Sequence, residues 1–170
     1  PPISVPGIGG PADLEQIKDT LTSFKQIDQM LAADSPDTMV VFTPHGTVYS
    51  DAIIIYNDQS LAGGLERFGL NRRWQWETDR DLIEKIAAIG ADEGLPVFAM
   101  PQAEAARGMF LKGLDHGVLV PLSFFDPAWA ARVKLVVVPL SYLPLEDLYR
   151  FGKTIQEGAE ELNRKVAVIA

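Results

Sequence analysis

Short apolar runs with no polar residue in alternation constrain this chain most. Met39-Val40-Val41-Phe42, Ala52-Ile53-Ile54-Ile55-Tyr56, Val97-Phe98-Ala99, Leu135-Val136-Val137-Val138 and Val166-Ala167-Val168-Ile169 are the clearest. A strand with one wet face alternates in polarity, whereas a strand apolar on both faces belongs to a sheet covered on both sides. Longer segments with helical spacing stand between these runs. Leu14, Ile17, Leu21, Phe24, Ile27 and Leu31 recur at intervals of three and four and predict an amphipathic helix over 11–33. Thr78-Asp79-Arg80-Asp81 predicts a helix start with Thr78 as the cap, continued by Leu82, Ile83, Ile86 and Ile89. From Pro144, the residues Leu148, Phe151, Ile155, Ala159 and Leu162 form another stripe. The segment from Val118 to Phe125 is apolar around Pro121 and reads with the strands, while 57–77 is polar, glycine-containing and aromatic and reads as a long excursion. Strands alternating with long helices predict an α/β fold whose sheet is mostly parallel or mixed.

Composition sets the outer limits. The 170 residues make one domain of ordinary size, and 47% hydrophobic content is enough to fill its core. Fifteen Lys and Arg against 23 Asp and Glu leave a formal net charge of −8. That balance argues against a nucleic-acid partner, which needs a basic surface. The absence of cysteine excludes disulfide scaffolds, thiolate metal sites and Cys nucleophiles. No apolar run approaches bilayer length, so no membrane partner is expected, and the expected compartment is the cytoplasm. Pro1-Pro2 at one end and Val168-Ile169-Ala170, inside a strand, at the other give the expectation of a domain over 1–170 cut at both ends.

Few residues stand out as carriers of chemistry. Ser50, Ser123 and Ser141 lack the Gly-x-Ser-x-Gly setting of a hydrolase nucleophile. The loop Val5-Pro6-Gly7-Ile8-Gly9-Gly10 comes after no strand within the chain and lacks the Lys-Ser/Thr of a phosphate loop. Trp74 and Trp76 read as a surface strand or an interface. The two histidines repeat one pattern, Pro44-His45-Gly46 and Asp115-His116-Gly117, each beside an apolar run and each with glycine next. In α/β sheets ligands bind beyond the carboxyl ends of the strands, which is where Thr43-Pro44-His45-Gly46 would stand. Imidazole is the commonest protein metal ligand and titrates near neutrality. On spacing alone, two loop histidines bonded to backbone remain the competing reading. Neighbours in an extended segment point to opposite faces, so Asp115 is expected outside the His116 pocket, in a supporting or capping role.

Four segments in this order carry a resemblance: Pro1-Pro2-Ile3-Ser4-Val5-Pro6-Gly7-Ile8-Gly9, Thr43-Pro44-His45-Gly46-Thr47-Val48-Tyr49-Ser50-Asp51-Ala52, Leu114-Asp115-His116-Gly117-Val118-Leu119-Val120-Pro121-Leu122 and Phe151-Gly152-Lys153. Together they resemble the class III extradiol ring-cleavage dioxygenase superfamily, the LigB-like proteins, with the AmmeMemoRadiSam and Memo-related branch nearest. The resemblance implies a three-layer α/β/α sandwich and a non-haem Fe(II) site acting on a small catecholic substrate with dioxygen. By the motif match, His45 looks like a metal ligand. His116 looks like the acid/base histidine, close enough in some branches to count with the metal. Relatives carry Pro-His-Pro-Pro before this start and Ser-Gly-Asp-x-Ser-His after the last strand, so further ligands are expected outside residues 1–170. Zn(II) is the alternative ion, because such ligand sets accept several metals. The competing functional readings are a metal- or partner-binding module without ring cleavage, serving an AMMECR1-type domain or a radical-SAM partner, and a zinc hydrolase or lyase. A homo-oligomer is compatible with each.

Overall fold

In the computed structural model, which describes residues 1–106 and 113–170, the apolar runs become the strands of a parallel core. β1 (Thr38–Thr43) lies between two parallel neighbours that come much later in the chain, β6 (Lys134–Pro139) and β7 (Val166–Ile169). Thr38 pairs with Lys134 and Val166, and Val41 with Val137 and Ile169. β2 (Ile53–Tyr56) pairs in parallel with β5 (Val97–Met100) and lies against β6.

The pleat divides the apolar side chains into two cores. Met39 and Val41 of β1, Leu135 and Val137 of β6, and Ile54 and Tyr56 of β2 point to one side. Val40, Val136, Val138, Ile53 and Ile55 point to the other. The second core is closed by α3 (Arg80–Asp92), through Leu82, Ile83 and Ile86, and by α7 (Leu145–Glu161), through Phe151, Ile155 and Ala159. The first is closed by α5 (His116–Leu122) and by the hairpin of β3 (Ser60–Leu65) and β4 (Leu70–Glu77), with Leu31 and Ala32 of α2 (Lys18–Asp34) packed on its edge. Both faces are therefore covered, which is why the strands need no polar alternation. The result is the expected α/β fold, its mostly parallel strands covered on both faces. No helix among the described residues is long and apolar enough to cross a membrane.

Four local expectations change. The helix over 11–33 is broken at Ile17 (φ −113°, ψ 20°) into α1 (Pro11–Gln16) and α2. The cap of α3 is Asp79, whose carboxylate accepts from the Leu82 N–H at 3.4 Å. Thr78 instead turns its hydroxyl to the carbonyls of Asp58 and Gln59, ending the hairpin. The excursion over 57–77 is in fact that antiparallel hairpin, with Leu61 facing Trp76. The apolar run from Val118 is a helix rather than a strand: α5 is buried at Val118, Leu119, Val120 and Leu122, so no solvent face marks its period.

Candidate metal and acid–base site

Thr43 ends β1, and its side chain organises the turn beyond the strand. Its hydroxyl oxygen accepts the N–H of His45 at 3.2 Å, which turns the backbone sharply and sends the imidazole over the carboxyl edge of the sheet. Gly46 comes next with φ +101°, and a Cβ there would come to 2.7 Å from the Tyr56 hydroxyl. A side chain would lift the loop off the strands, so the glycine keeps His45 low on the sheet edge.

α5 delivers the second imidazole. Asp115 (φ −81°, ψ 171°) caps this helix, its carboxylate accepting from the Gly117 N–H at 2.6 Å, and His116 is the first helical residue. The same carboxylate accepts the Thr43 hydroxyl, 3.0 Å from either oxygen. One side chain thus ties the end of β1 to the start of α5. Gly117 makes that junction possible, since a Cβ there would sit 2.8 Å from Thr43 Oγ1 and 3.0 Å from His45 Cδ2. The repeated His-Gly pattern has a packing cause at both places.

The outcome is a close pair of imidazoles. The rings of His45 and His116 lie 4.3 Å apart between centroids, tilted by 39°. One ligand atom from each of His45, Asp115 and His116 can be chosen so that all three lie within 4.8 Å of one another. Asp115 therefore does join the pocket, against the expectation from an extended segment. The cap curls its carboxylate back toward the strand end, where alternation no longer applies. Phe68, in the 3-10 turn Glu66–Phe68 at the hairpin tip, meets His116 edge to face, with centroids 5.3 Å apart. Neither Phe68 nor Tyr56 stands out in the sequence as part of a site. Thr47 Oγ1, two residues after His45, is buried without a hydrogen-bond partner among the described residues.

The electrostatics arise from burial and crowding. His116 is held below the usual imidazole range, first by burial and then by His45, with Asp115 opposing the shift. Tyr56 is pushed up to about 12, first by burial and then by the Asp115 charge. Two nitrogen donors and a carboxylate oxygen at these separations suit a divalent cation of the Fe(II) or Zn(II) type, which takes imidazole and carboxylate together. A cavity of about 390 Å³ lies at the opposite, amino end of the sheet, lined by Asp79, Lys134 and Arg164 among others. Its buried carboxylate is already engaged by Arg164 Nε at 3.2 Å and by the Thr38 hydroxyl. The chemistry-bearing pair stands at the carboxyl edge instead.

The chain matches, over residues 1–170, the family model described as the catalytic LigB subunit of aromatic ring-opening dioxygenase. It is also 30% identical over 173 residues to a protein of Clostridium acetobutylicum, Protein CA_C1420. That match covers 100% of this chain and 36% of the relative, so the chain spans about a third of the length of the curated protein it resembles.

Proposed function

Because the chain belongs to the LigB family, we propose that it is the ring-cleaving part of an extradiol dioxygenase, using Fe(II) and dioxygen on a small catecholic substrate. We place it in the Memo-related branch on the strength of Asp115-His116-Gly117 and the apolar stretch after it. The observation that carries the reading is the convergence of two imidazoles, distant in sequence, with one carboxylate at the carboxyl edge of β1.

In this reading His45 is a metal ligand, and Thr43 and Gly46 fix its ring. The bound ion supplies a template and a Lewis acid for the two ring oxygens. His116 is the acid/base group. Its lowered affinity for protons leaves the ring neutral at neutral pH, ready to accept a proton from a catechol hydroxyl and return it later. Asp115 holds the His116 backbone at the helix start and adds negative charge beside the pair. Further ligands come, in this proposal, from the segments flanking residues 1–170. β7 runs parallel to β1, so Ile169 lies toward the edge where His45 stands.

A partner-binding module is the second reading. The exposed side chains Leu140, Tyr142, Leu145 and Tyr149 favour it, and the Tyr142 N–H bonds the Tyr49 carbonyl of the loop after His45. The test separates the two. Full-length protein is loaded anaerobically with Fe(II), mixed with a panel of substituted catechols and exposed to air. A yellow ring-fission product is expected. His45→Ala is expected to lose stoichiometric iron, and His116→Ala to keep iron while turnover falls by roughly 10²–10⁴. Iron retained by His45→Ala, or no product across the panel, would overturn the dioxygenase reading.

A further inference from the structure

The hairpin of β3 and β4 is fastened to the segment that carries His116. The Leu114 N–H bonds the Ala62 carbonyl at 2.8 Å, one residue before Asp115. A Cβ on Gly63 would fall 2.4 Å from the Leu114 oxygen, so the glycine is what lets strand and segment touch. Leu61 and Leu65 are buried in the core, and Leu65 stands immediately before the tip. Across the tip, Glu66 and Arg73 pair at 3.2 Å. The turn therefore has little freedom to leave the site.

Phe68 is the residue this framework presents. Its ring meets His116 at 67°, and 41% of the residue is exposed. Among the described residues, His116 is the ring that Phe68 meets, and the rest of this large apolar side chain is left half exposed beside the two imidazoles. Aromatic rings favour offset-stacked and edge-to-face contacts, so the exposed part of Phe68 offers a further planar ring a surface to pack on beside His116. We propose that Phe68 is the aromatic wall of the site, seating a planar aromatic ring against His116 and setting such ligands apart from non-aromatic chelators. The proposal rests on the metal-site reading above and names a positioning and specificity role for a residue outside the ligand set.

The test uses equilibrium binding rather than turnover. Full-length protein loaded with Fe(II) is titrated anaerobically, by calorimetry, with catechol and with acetohydroxamate, a bidentate chelator that has no ring. Phe68→Ala is expected to weaken catechol by about five- to tenfold and to leave acetohydroxamate within about twofold. Phe68→Tyr is expected to restore catechol affinity. Phe68→Leu keeps bulk without a π face and is expected to behave like the alanine variant, so it decides the matter if Phe68→Ala does not fold. Unchanged catechol binding in Phe68→Leu, or equal loss of both ligands, would overturn the proposal. Wild-type protein that binds acetohydroxamate but not catechol would overturn it while leaving the metal site standing. Binding of neither ligand would remove both readings.

Discussion

Replacing Asp115 separates helix capping from charge at the site. In Asp115→Ala the Gly117 N–H loses its acceptor at 2.6 Å, and the Thr43 hydroxyl loses the carboxylate 3.0 Å away. Loss of a cap costs about 1 kcal/mol. Thr43 is 0% exposed, and stranding its hydroxyl costs about 1–2 kcal/mol more. A loss of about 2–3 kcal/mol in a chain of this size lowers the melting temperature by about 5–10 °C. Asp115→Asn keeps a good cap and a carbonyl oxygen for Thr43, so its stability is expected within about 1 kcal/mol of wild type. Its effect is to remove charge. Metal affinity is expected to fall by about 10- to 100-fold, the usual effect of removing a supporting carboxylate. Tyr56 is expected to titrate below its present value of about 12 but still above the ordinary 10, because burial is the larger cause of its shift. Thermal melts followed by circular dichroism, competition with a chromophoric chelator and tyrosinate absorbance read these three quantities independently. Equal destabilisation by Asn and Ala would refute the capping argument. An Asn variant with wild-type metal affinity and an unmoved Tyr56 would refute the electrostatic one.

Three further outcomes are expected. Asp79→Ala removes the cap of α3 and the buried one of two carboxylates that pair with Arg164, from a position that is 0% exposed. It should cost about 3 kcal/mol in urea unfolding, discounted for the partly exposed guanidinium, while leaving metal content unchanged because the imidazoles are at the other end of β1. Gly46→Ala forces a side chain onto a backbone at φ +101° and toward the Tyr56 hydroxyl. A loss of about 2–3 kcal/mol is expected, together with weakened metal binding as His45 shifts. The metal-free protein should lose stability at both ends of the pH scale, as read by urea midpoints. Because His116 binds protons less readily folded than unfolded, stability falls as pH drops below about 6.5 and levels off once the folded ring is also protonated. Because Tyr56 is raised to about 12, its contribution is full below about 10 and is lost as pH rises toward 12. A flat profile at either end contradicts the corresponding shift.

The strands were legible because burial on two faces removes polar residues from both, and a run such as Leu135-Val136-Val137-Val138 leaves few alternatives. α7 was equally plain, since it lies on one core and faces water on its other side: Phe151, Ile155 and Ala159 are buried while Glu157 and Glu160 are exposed. α5 offered no such contrast. Four of its seven residues are buried, Pro121 lies inside it, and Asp115 before it was the only local sign of a helix start. The capping role expected for Asp115 holds, but taking the run after it as a strand sent its carboxylate to the wrong face.

The site itself was half visible for a related reason. His45 and His116 announced themselves by residue type and by the glycine after each, but their partners act through tertiary contact. Phe68 lies in a stretch whose polarity belongs to the exposed face of a hairpin, and only Ala62, Gly63 and Leu65, bonded or packed inward, show why that hairpin is held beside His116. Tyr56 read as the last apolar residue of a strand, although its hydroxyl reaches beneath Gly46. In the proposed reading, His45 after β1 and His116 at the start of α5 set where chemistry happens, and the hairpin, which no motif marks, sets what approaches them. Swapping the hairpin tip at Phe68 should therefore move ligand preference without moving the metal, whereas changes at Thr43, Gly46 or Asp115 should move the metal first.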